Sequence, residues 1–477
     1  MQIDESITKA ELFALVKSLL AENLALRNEV AALKNRVAEL KRQAGTDSST
    51  SSKPSSSDGL KKKPRIVAPG KSGRPSGGQK GHPGAHLRRK EIPDAVEDHL
   101  PGVCAGCGAA LTAADDLGAV EIRQVLDLPS SLPFLATDHR VHACGCSACG
   151  KATRGVFPDG VSAAVQYGTN LESLVVLLCT VHAVAEDRLA DLLRAMFGLE
   201  ISPATIGSML RRREAALAPA ADAIEEAAKA APVRGMDETG IRIGGKTLWL
   251  HLVATTFLTA YFPKERRGDI PAVSGGTVVH DHFSPYRTRL SGVAHALCGA
   301  HLLRELLAAE TLDKEAWAGR MRLCLIRSCH EANEAKRRDG TAVEPGLAEA
   351  LRQEYDRIVA EGIAFHAVLP PFARPGKRGR TAKRPGHNLV VRLRDFRSDV
   401  LRFLEDPDVP FSNNLAEQAA RKPKTKLKVS GGFRSMDGAK VHARLLSIVE
   451  TARKHGVAIL DALRSEPLAL LRTFRLV

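Results

Sequence analysis

Cysteine is scarce in this chain, with nine in 477 residues. That density excludes a disulfide scaffold. Cysteines that do occur in pairs then point to metal binding in a reducing cytoplasm. Long apolar runs are missing too, so no membrane-spanning helix is expected. The opening residues, MQIDESITKAELF, lack the apolar segment of a secretory signal. Acid is in deficit: 54 Asp and Glu face 69 Lys and Arg, a net charge of +15. A soluble chain this basic suggests a polyanionic partner. Hydrophobic residues at 44% and charged residues at 26% are ordinary, which excludes wholesale disorder and a fibrous repeat. The length suggests about three domains.

The positive charge is clustered. Residues 45–90 hold 11 Lys and Arg against 2 acids, over half of the net charge in a tenth of the chain. The segment is rich in Ser, Pro and Gly and cannot bury enough apolar surface to fold alone. It reads as a basic linker whose Lys61, Lys62, Lys63, Arg65 and Lys80 follow phosphates. Further basic runs lie at Arg374–Arg384 and at Arg421, Lys422, Lys424, Lys426 and Lys428.

Ahead of the linker, residues 12–40 keep an unbroken 4,3 apolar spacing. Leu12, Leu19, Leu26, Leu33 and Leu40 occupy the d positions; Val16, Asn23, Val30 and Val37 occupy a. β-branched residues at a with Leu at d favour a parallel dimer, and a single Asn at a sets the register. Glu22 can reach Arg27 of the partner helix, and Glu29 can reach Lys34. A homodimeric coiled coil is expected.

Beyond the linker come two CxxCG turns, Cys104–Cys107 and Cys146–Cys149. Such a turn presents two thiolates to one metal, and two turns complete a tetrahedral zinc site. Four cysteines close the coordination sphere, so this zinc is structural. Cys144 is a spare thiol with no assigned role. Next, DRLADLLRAMF reads as a helix stopped by Gly198, and Ser202 with Pro203 opens a second helix ending in Arg211, Arg212 and Arg213. The pair fits a helix-turn-helix that touches DNA.

From residue 232 the period changes to that of strands. VRGMDETG reads as a strand ending at Asp237, followed by a hairpin about Gly244-Gly245, a third strand FLTAYF, and a fourth ending at Asp281. Two carboxylates at the ends of central strands suit a ribonuclease H-like core. A third acid must come from a later helix, and Glu417, just after Asn413-Asn414, is the candidate. Three converging carboxylates can hold two Mg²⁺ or Mn²⁺ ions for phosphodiester chemistry.

At these residues the chain resembles DDE transposases of the insertion-sequence 66 type. The likeness runs through Gly77-Gly78-Gln79-Lys80-Gly81-His82-Pro83-Gly84, both CxxC pairs, Tyr167-Gly168, Asp237-Glu238-Thr239 and His280-Asp281 with Pro285-Tyr286. It continues through Cys298–Glu305, Asn413–Gln418 and Ser430–Ser435. The resemblance implies that Asp237, Asp281 and Glu417 are the metal-binding triad. It implies double-stranded DNA as substrate: terminal inverted repeats and a target, cut and joined on the bacterial nucleoid, with accessory proteins encoded by the element as further partners. Gln418 departs from the Arg that many relatives carry there. Two readings remain beside it: a dimeric zinc-containing DNA-binding regulator, and a nuclease lacking strand transfer.

The expected architecture is multidomain α+β. It comprises a coiled coil (1–44), basic linker (45–90), zinc-binding domain (91–160) and helical region (161–230). A catalytic domain (231–430) with a helical insertion at about 300–405 and a C-terminal helical region (431–477) follow. Cys298 and His301 sit with CxxH spacing at a strand-to-helix turn, where a capped helix start and a second metal site are both open. Arg434, after the last basic run, is a candidate for stacking against unpaired DNA.

Overall fold

The structure is a computed structural model that describes residues 8–45, 89–127, 134–149, 151–369 and 383–477. Lys61, Lys62, Lys63, Arg65, Lys80, the Gly77–Gly84 motif and most of the basic run at 374–384 lie outside the described residues. No helix among the described residues is long and apolar enough to cross a membrane. The fold mixes helix and sheet, and the chain divides into two compact units.

The smaller unit comprises Val67–Asp138 and Met196–Gly198. Its clearest feature is a tight loop closed by an antiparallel bridge between Val103 and Ala110. Within the loop, the Cys104 N–H donates to the Ala109 carbonyl at 2.8 Å and the Gly108 N–H to the Cys104 carbonyl at 2.9 Å. Gly108 sits at φ +74°, a conformation that glycine adopts without steric cost.

The larger unit starts with α1 (Lys9–Gly45), a single helix of 37 residues. It includes a second knuckle, where β1 (Ala143–Gly145) and β2 (Ala152–Arg154) pair antiparallel. Just beyond, the Cys146 N–H donates to the Lys151 carbonyl at 3.0 Å, the same closure seen at Cys104.

Four helices follow: α2 (Thr169–Val176), α3 (Glu186–Phe197), α4 (Pro203–Ala216) and α5 (Ala218–Ala230). Between α3 and α4 the chain turns at Gly198, φ +64°, and Ser202 Oγ caps α4 by accepting from the Thr205 N–H at 3.1 Å. Then come β3 (Val233–Ile243), β4 (Lys246–Ala254), β5 (Thr259–Lys264), β6 (Thr277–His280), α6 (Ser284–Arg289) and β7 (Ala294–Leu297). The five strands make one mixed sheet in the order β5-β4-β3-β6-β7. β3, β4 and β5 are antiparallel; β6 and β7 add in parallel. Gly244 and Gly245, at φ +55° and +78°, give the β3–β4 turn two consecutive left-handed residues, as a two-residue hairpin requires.

Among the described residues, five helices follow, α7 (Gly299–Thr311), α8 (Ala316–Asp339), α9 (Pro345–Ala367), α10 (Pro385–Asp395) and α11 (Arg397–Leu401), with a 3₁₀ turn at Arg402–Leu404. These helices share a core around Trp317, Met321, Leu325 and Tyr355 that reaches Val279 and Leu297 of the sheet. The last four helices are α12 (Asn414–Ser430), α13 (Met436–Lys454), α14 (Ile459–Arg464) and α15 (Pro467–Thr473). α5, α13, α14 and α15 form one apolar layer with Met236, Val253 and Val278 of the sheet, so the helices before and after the strands share a core.

α12 lies along β3 and carries Pro423 inside it. Proline has no N–H to give to the carbonyl four residues back, which is that of Ala419. The Tyr261 hydroxyl of β5 donates to that carbonyl instead, at 3.1 Å, with Tyr261 and Ala419 both buried. The proline is therefore compensated by a neighbour on the sheet.

Candidate active site

β3 does not stop at Asp237, where the sequence pattern put its end. β4 pairs with it from Gly235 to Ile243, and this partner carries it six residues further. Asp237 instead marks the point where β3 outruns its other neighbour. The parallel pairing with β6 ends at Gly235↔Val279, two residues short of Asp237 and Asp281 on their strands, and the two acids are close enough for Asp281 to raise Asp237. On the far side, His280 pairs with Leu297, so Asp281 falls in one row with Cys298. The two aspartates thus sit near each other where the strands diverge.

Both acids are half-buried. Asp237 Oδ1 accepts from the Glu238 N–H at 2.8 Å, and Asp281 Oδ1 accepts from the Phe283 N–H at 2.9 Å. Among the described residues neither forms an ion pair with a basic side chain. Burial raises the Asp237 carboxyl well above its usual range, with Glu238 and Asp281 adding to it. Burial, then Glu238, pushes Asp281 up to about 6. Two half-buried carboxylates that resist ionisation this way are short of positive charge.

Glu417 lies in the first turn of α12. Its helix is tied to the sheet by Asn413, whose Nδ2 donates to the Met236 carbonyl at 2.7 Å. Gly235 makes that approach possible, since a Cβ there would lie 2.2 Å from Asn413 Oδ1. Cys298 joins the same corner. Its Sγ accepts from the Asn413 N–H at 3.2 Å, and its thiol donates to Glu417 Oε1 at 3.4 Å. Burial pushes that thiol up to about 12, so it stays a neutral donor. His301 Nδ1 lies 3.6 Å from Glu417 Oε1, and an Arg304 nitrogen lies 3.8 Å from Oε2. Burial, then Arg304, lowers the His301 ring. Cys298, His301 and Glu417 are the one group of three potential metal ligands that converges among the described residues.

Sequence reasoning missed Glu238. Its carboxylate is held by Arg267 at 2.9 and 2.7 Å and by the Tyr286 hydroxyl at 2.6 Å. It is compensated where its neighbours are not, so it braces the site and feeds its field into Asp237 and Asp281. Adjacency to Asp237 was the one signal in the sequence; Arg267 and Tyr286 are distant in the chain and reach it only through the fold.

The expected basic contacts divide by exposure. Arg213 is turned inward, bonded to the Leu463 carbonyl and, at 3.0 Å, to that of Ser465. Burial among backbone acceptors makes it structural, which corrects its expected DNA contact. Arg212 pairs with Glu172 at 2.7 Å, while Arg211 lies on the exposed face of α4. Lys424 donates to the Gly240 carbonyl at 3.2 Å, and Lys426 lies over the Phe433 ring at 5.9 Å. Both side chains are half-buried against the protein. Lys428 and Arg434 are exposed.

Each cysteine knuckle draws its first thiol toward the thiolate. Backbone N–H groups of Cys107 and Gly106 lower Cys104, and those of Ala148 and Cys149 lower Cys146.

Residues 164–441 match the Transposase IS66 family, a span that contains all three acids together with Cys298 and His301. The chain belongs to that family. The family is one of insertion-sequence transposases, which fits a half-buried acid cluster on a mixed sheet. Residues 3–88 match a second family, whose function is unknown (DUF6444). The chain is also similar to the uncharacterized protein y4jO of Sinorhizobium fredii (strain NBRC 101917 / NGR234), at 29% identity over 167 residues. That match takes in 34% of this chain and 45% of the relative, so the chain spans less than half of the relative's length.

Proposed function

We propose that the protein is the transposase of an insertion sequence, which binds the terminal inverted repeats of its element and catalyses metal-dependent cleavage and strand transfer. The observation that carries this reading is the pair of half-buried acids Asp237 and Asp281 where β3 and β6 diverge, with no ion pair to a basic side chain among the described residues. The strand order, three antiparallel strands followed by two parallel ones, supports a ribonuclease H-like catalytic core.

The acids suit divalent cations: hard carboxylate oxygens, mutual repulsion and a shortage of local positive charge. Asp237, Asp281 and Glu417 would hold Mg²⁺ or Mn²⁺, and two such ions supply activation of a water or 3′-hydroxyl and stabilisation of the leaving oxygen. The protein's own part is positioning. Backbone N–H groups fix one oxygen of each aspartate and leave the other available. The Cys298 thiol and the Asn413 side chain fix where Glu417 meets them. Arg304 places positive charge at the edge of the site, where a phosphate oxygen would be received.

Zinc is the ion proposed for the two CxxC turns, Cys104–Cys107 and Cys146–Cys149, whose first thiols, Cys104 and Cys146, are drawn toward the thiolate by backbone N–H groups, as ligation requires. Its role there is structural. α1 supplies a homodimeric coiled coil. Partners are double-stranded DNA at the element ends and at the target, with element-encoded accessory proteins, in the cytoplasm on the nucleoid. A zinc-containing regulator with a dead core is disfavoured by the intact acid set. A nuclease lacking strand transfer differs only in the nucleophile used at the joining step.

The test is cleavage of DNA carrying the element's ends. Asp237→Asn, Asp281→Asn and Glu417→Gln should each abolish Mg²⁺-dependent cutting while leaving end binding nearly unchanged, because shape is kept and a charged ligand is lost. Mg²⁺ should raise the melting temperature of the wild type but not of Asp237→Asn. Cutting retained by any variant removes that residue from the triad. Hydrolysis without joined products selects the nuclease.

A further inference from the structure

α12 and β3 run side by side in the same direction. Asn413 touches the Met236 carbonyl, Lys424 reaches the Gly240 carbonyl at 3.2 Å, and Phe433 arrives at the tip of the β3–β4 hairpin. There Phe433 adds one residue to the sheet in a parallel bridge with Ile243. Its N–H donates to the Arg242 carbonyl at 2.8 Å, and its carbonyl accepts from the Gly244 N–H at 2.9 Å. Gly432 permits the docking: it sits at φ +120°, and a Cβ there would lie 2.4 Å from the Arg242 carbonyl oxygen. The segment after α12 is thereby fixed to the hairpin with Arg434 one residue past the bridge, and the register Arg242↔Thr247 and Ile243↔Lys246 sets Arg242 and Lys246 on opposite faces of the tip, one on each flank. All three side chains are exposed.

The exposed stripe of α12 leads to the same place. Gln418, Arg421, Lys422, Thr425 and Lys428 recur at helical spacing and face solvent. α12 holds five Lys and Arg, and its one acid is Glu417, at the end that enters the active site. Charge is thus graded along one ramp, from half-buried acids to exposed bases.

The geometry points to a duplex-binding track that leaves the active site along α12 and ends on the hairpin tip, with Arg242, Lys246 and Arg434 gripping backbone phosphates of the DNA beside the cut. From Asp237 to Ile243 is six residues of strand, roughly 20 Å at about 3.3 Å per residue. B-form DNA rises about 3.4 Å per base pair, so the hairpin tip meets phosphates about six base pairs from the scissile bond. The contacts are to phosphates, so the track fixes register and direction and reads no sequence. Arg242 and Lys246 are the residues this adds to the site. The inference rests on the DNA-processing reading given above.

The test uses the full-length protein and a fluorescent 30-base-pair duplex of arbitrary sequence, titrated over a series of salt concentrations. Each lost phosphate contact should lower the slope of log affinity against log salt by about 0.9. The triple variant Arg242→Ala, Lys246→Ala, Arg434→Ala should therefore have a slope shallower by about 2–3, and Lys246→Ala alone by about 0.9, with unchanged melting temperatures. Asp237→Asn should keep the wild-type slope. A wild-type slope in the triple variant overturns the track and leaves the transposase reading in place. A wild-type protein without salt-dependent affinity for duplex DNA defeats both.

Discussion

His442 and Asp281 show how burial sets charge in opposite directions. Asp281 is an acid pushed up to about 6, a cost that a bound cation can remove. His442 is a base with no such remedy. It lies on α13 under the Phe433 ring, 5.0 Å between centroids, and burial, then Lys426, lowers it to about 3. The unfolded chain takes up this proton near pH 6.5, and the folded chain does not until about pH 3. Stability is therefore present above pH 6.5 and lost as pH falls through that window, by about 1.4 kcal/mol per pH unit at most. His442 alone should contribute a decline of about 2–3 kcal/mol between pH 6.5 and 4.5 in urea titrations, and His442→Gln should flatten the profile by that amount. His280, also held at about 3 by burial, keeps a similar contribution in that variant. An unchanged slope in His442→Gln would place the acid sensitivity elsewhere. Residues of this kind are hard to read from a sequence. Asp237, Asp281 and Glu417 stood out because strand and helix text flanks each of them. His442 has only the helix period around it, and Glu238 is indistinguishable from a solvent-facing acid until Arg267 and Tyr286 are folded onto it.

Elements bring another kind of dependence. α12 reads as two incompatible things in sequence, a helix and a proline at position 423. It holds because Tyr261, 158 residues away, donates to the carbonyl that the proline leaves without its helical donor. Tyr261→Phe removes the hydroxyl alone and strands a buried acceptor, at a cost of about 1–3 kcal/mol. Chemical denaturation measures it, and a change under about 0.5 kcal/mol would mean that the helix tolerates the open carbonyl. The strands were legible for a simpler reason: their alternation, and the Gly244-Gly245 turn, are local signals. What was not local was the partner. β3 runs past Asp237 because β4 stays paired with it, and the expected end followed from the chain alone. The knuckles lie between these cases. Each closes on its own backbone bonds, which makes the turn legible, whereas zinc is a proposal that metal analysis decides. About one zinc per chain is expected, and Cys104→Ser or Cys149→Ser should lose it and make residues 100–160 sensitive to protease, since structural zinc supplies folding free energy. A folded protein free of zinc would end that reading.

At the scale of the whole molecule the open question is how two DNA ends meet, and α1 carries the argument. Its 37 residues span about 55 Å at about 1.5 Å per residue, too long for one chain to cover in passing. Leu12, Val16, Leu19, Leu26, Val30, Leu33, Val37 and Leu40 are each between 46% and 58% exposed, and Asn23 is exposed among them. An apolar stripe this long and this bare calls for a partner surface of the same shape, and the a and d pattern fits a second copy of itself. Dimerisation through α1 would give each transposon end a catalytic core, with the basic segment after the helix following phosphates between them. Removing residues 1–44 should then weaken paired-end complexes far more than binding to a single end. Leu19→Ala, Leu26→Ala and Leu33→Ala together should do the same, since each deletes a buried d layer worth about 2–5 kcal/mol. Asn23→Val should strengthen the helix pairing and loosen its register, because the one polar layer that penalises misalignment is gone. Sedimentation of the full-length protein and of its truncation separates the outcomes. A dimer that survives the loss of residues 1–44, with end pairing intact, would move the dimer contact to the catalytic units.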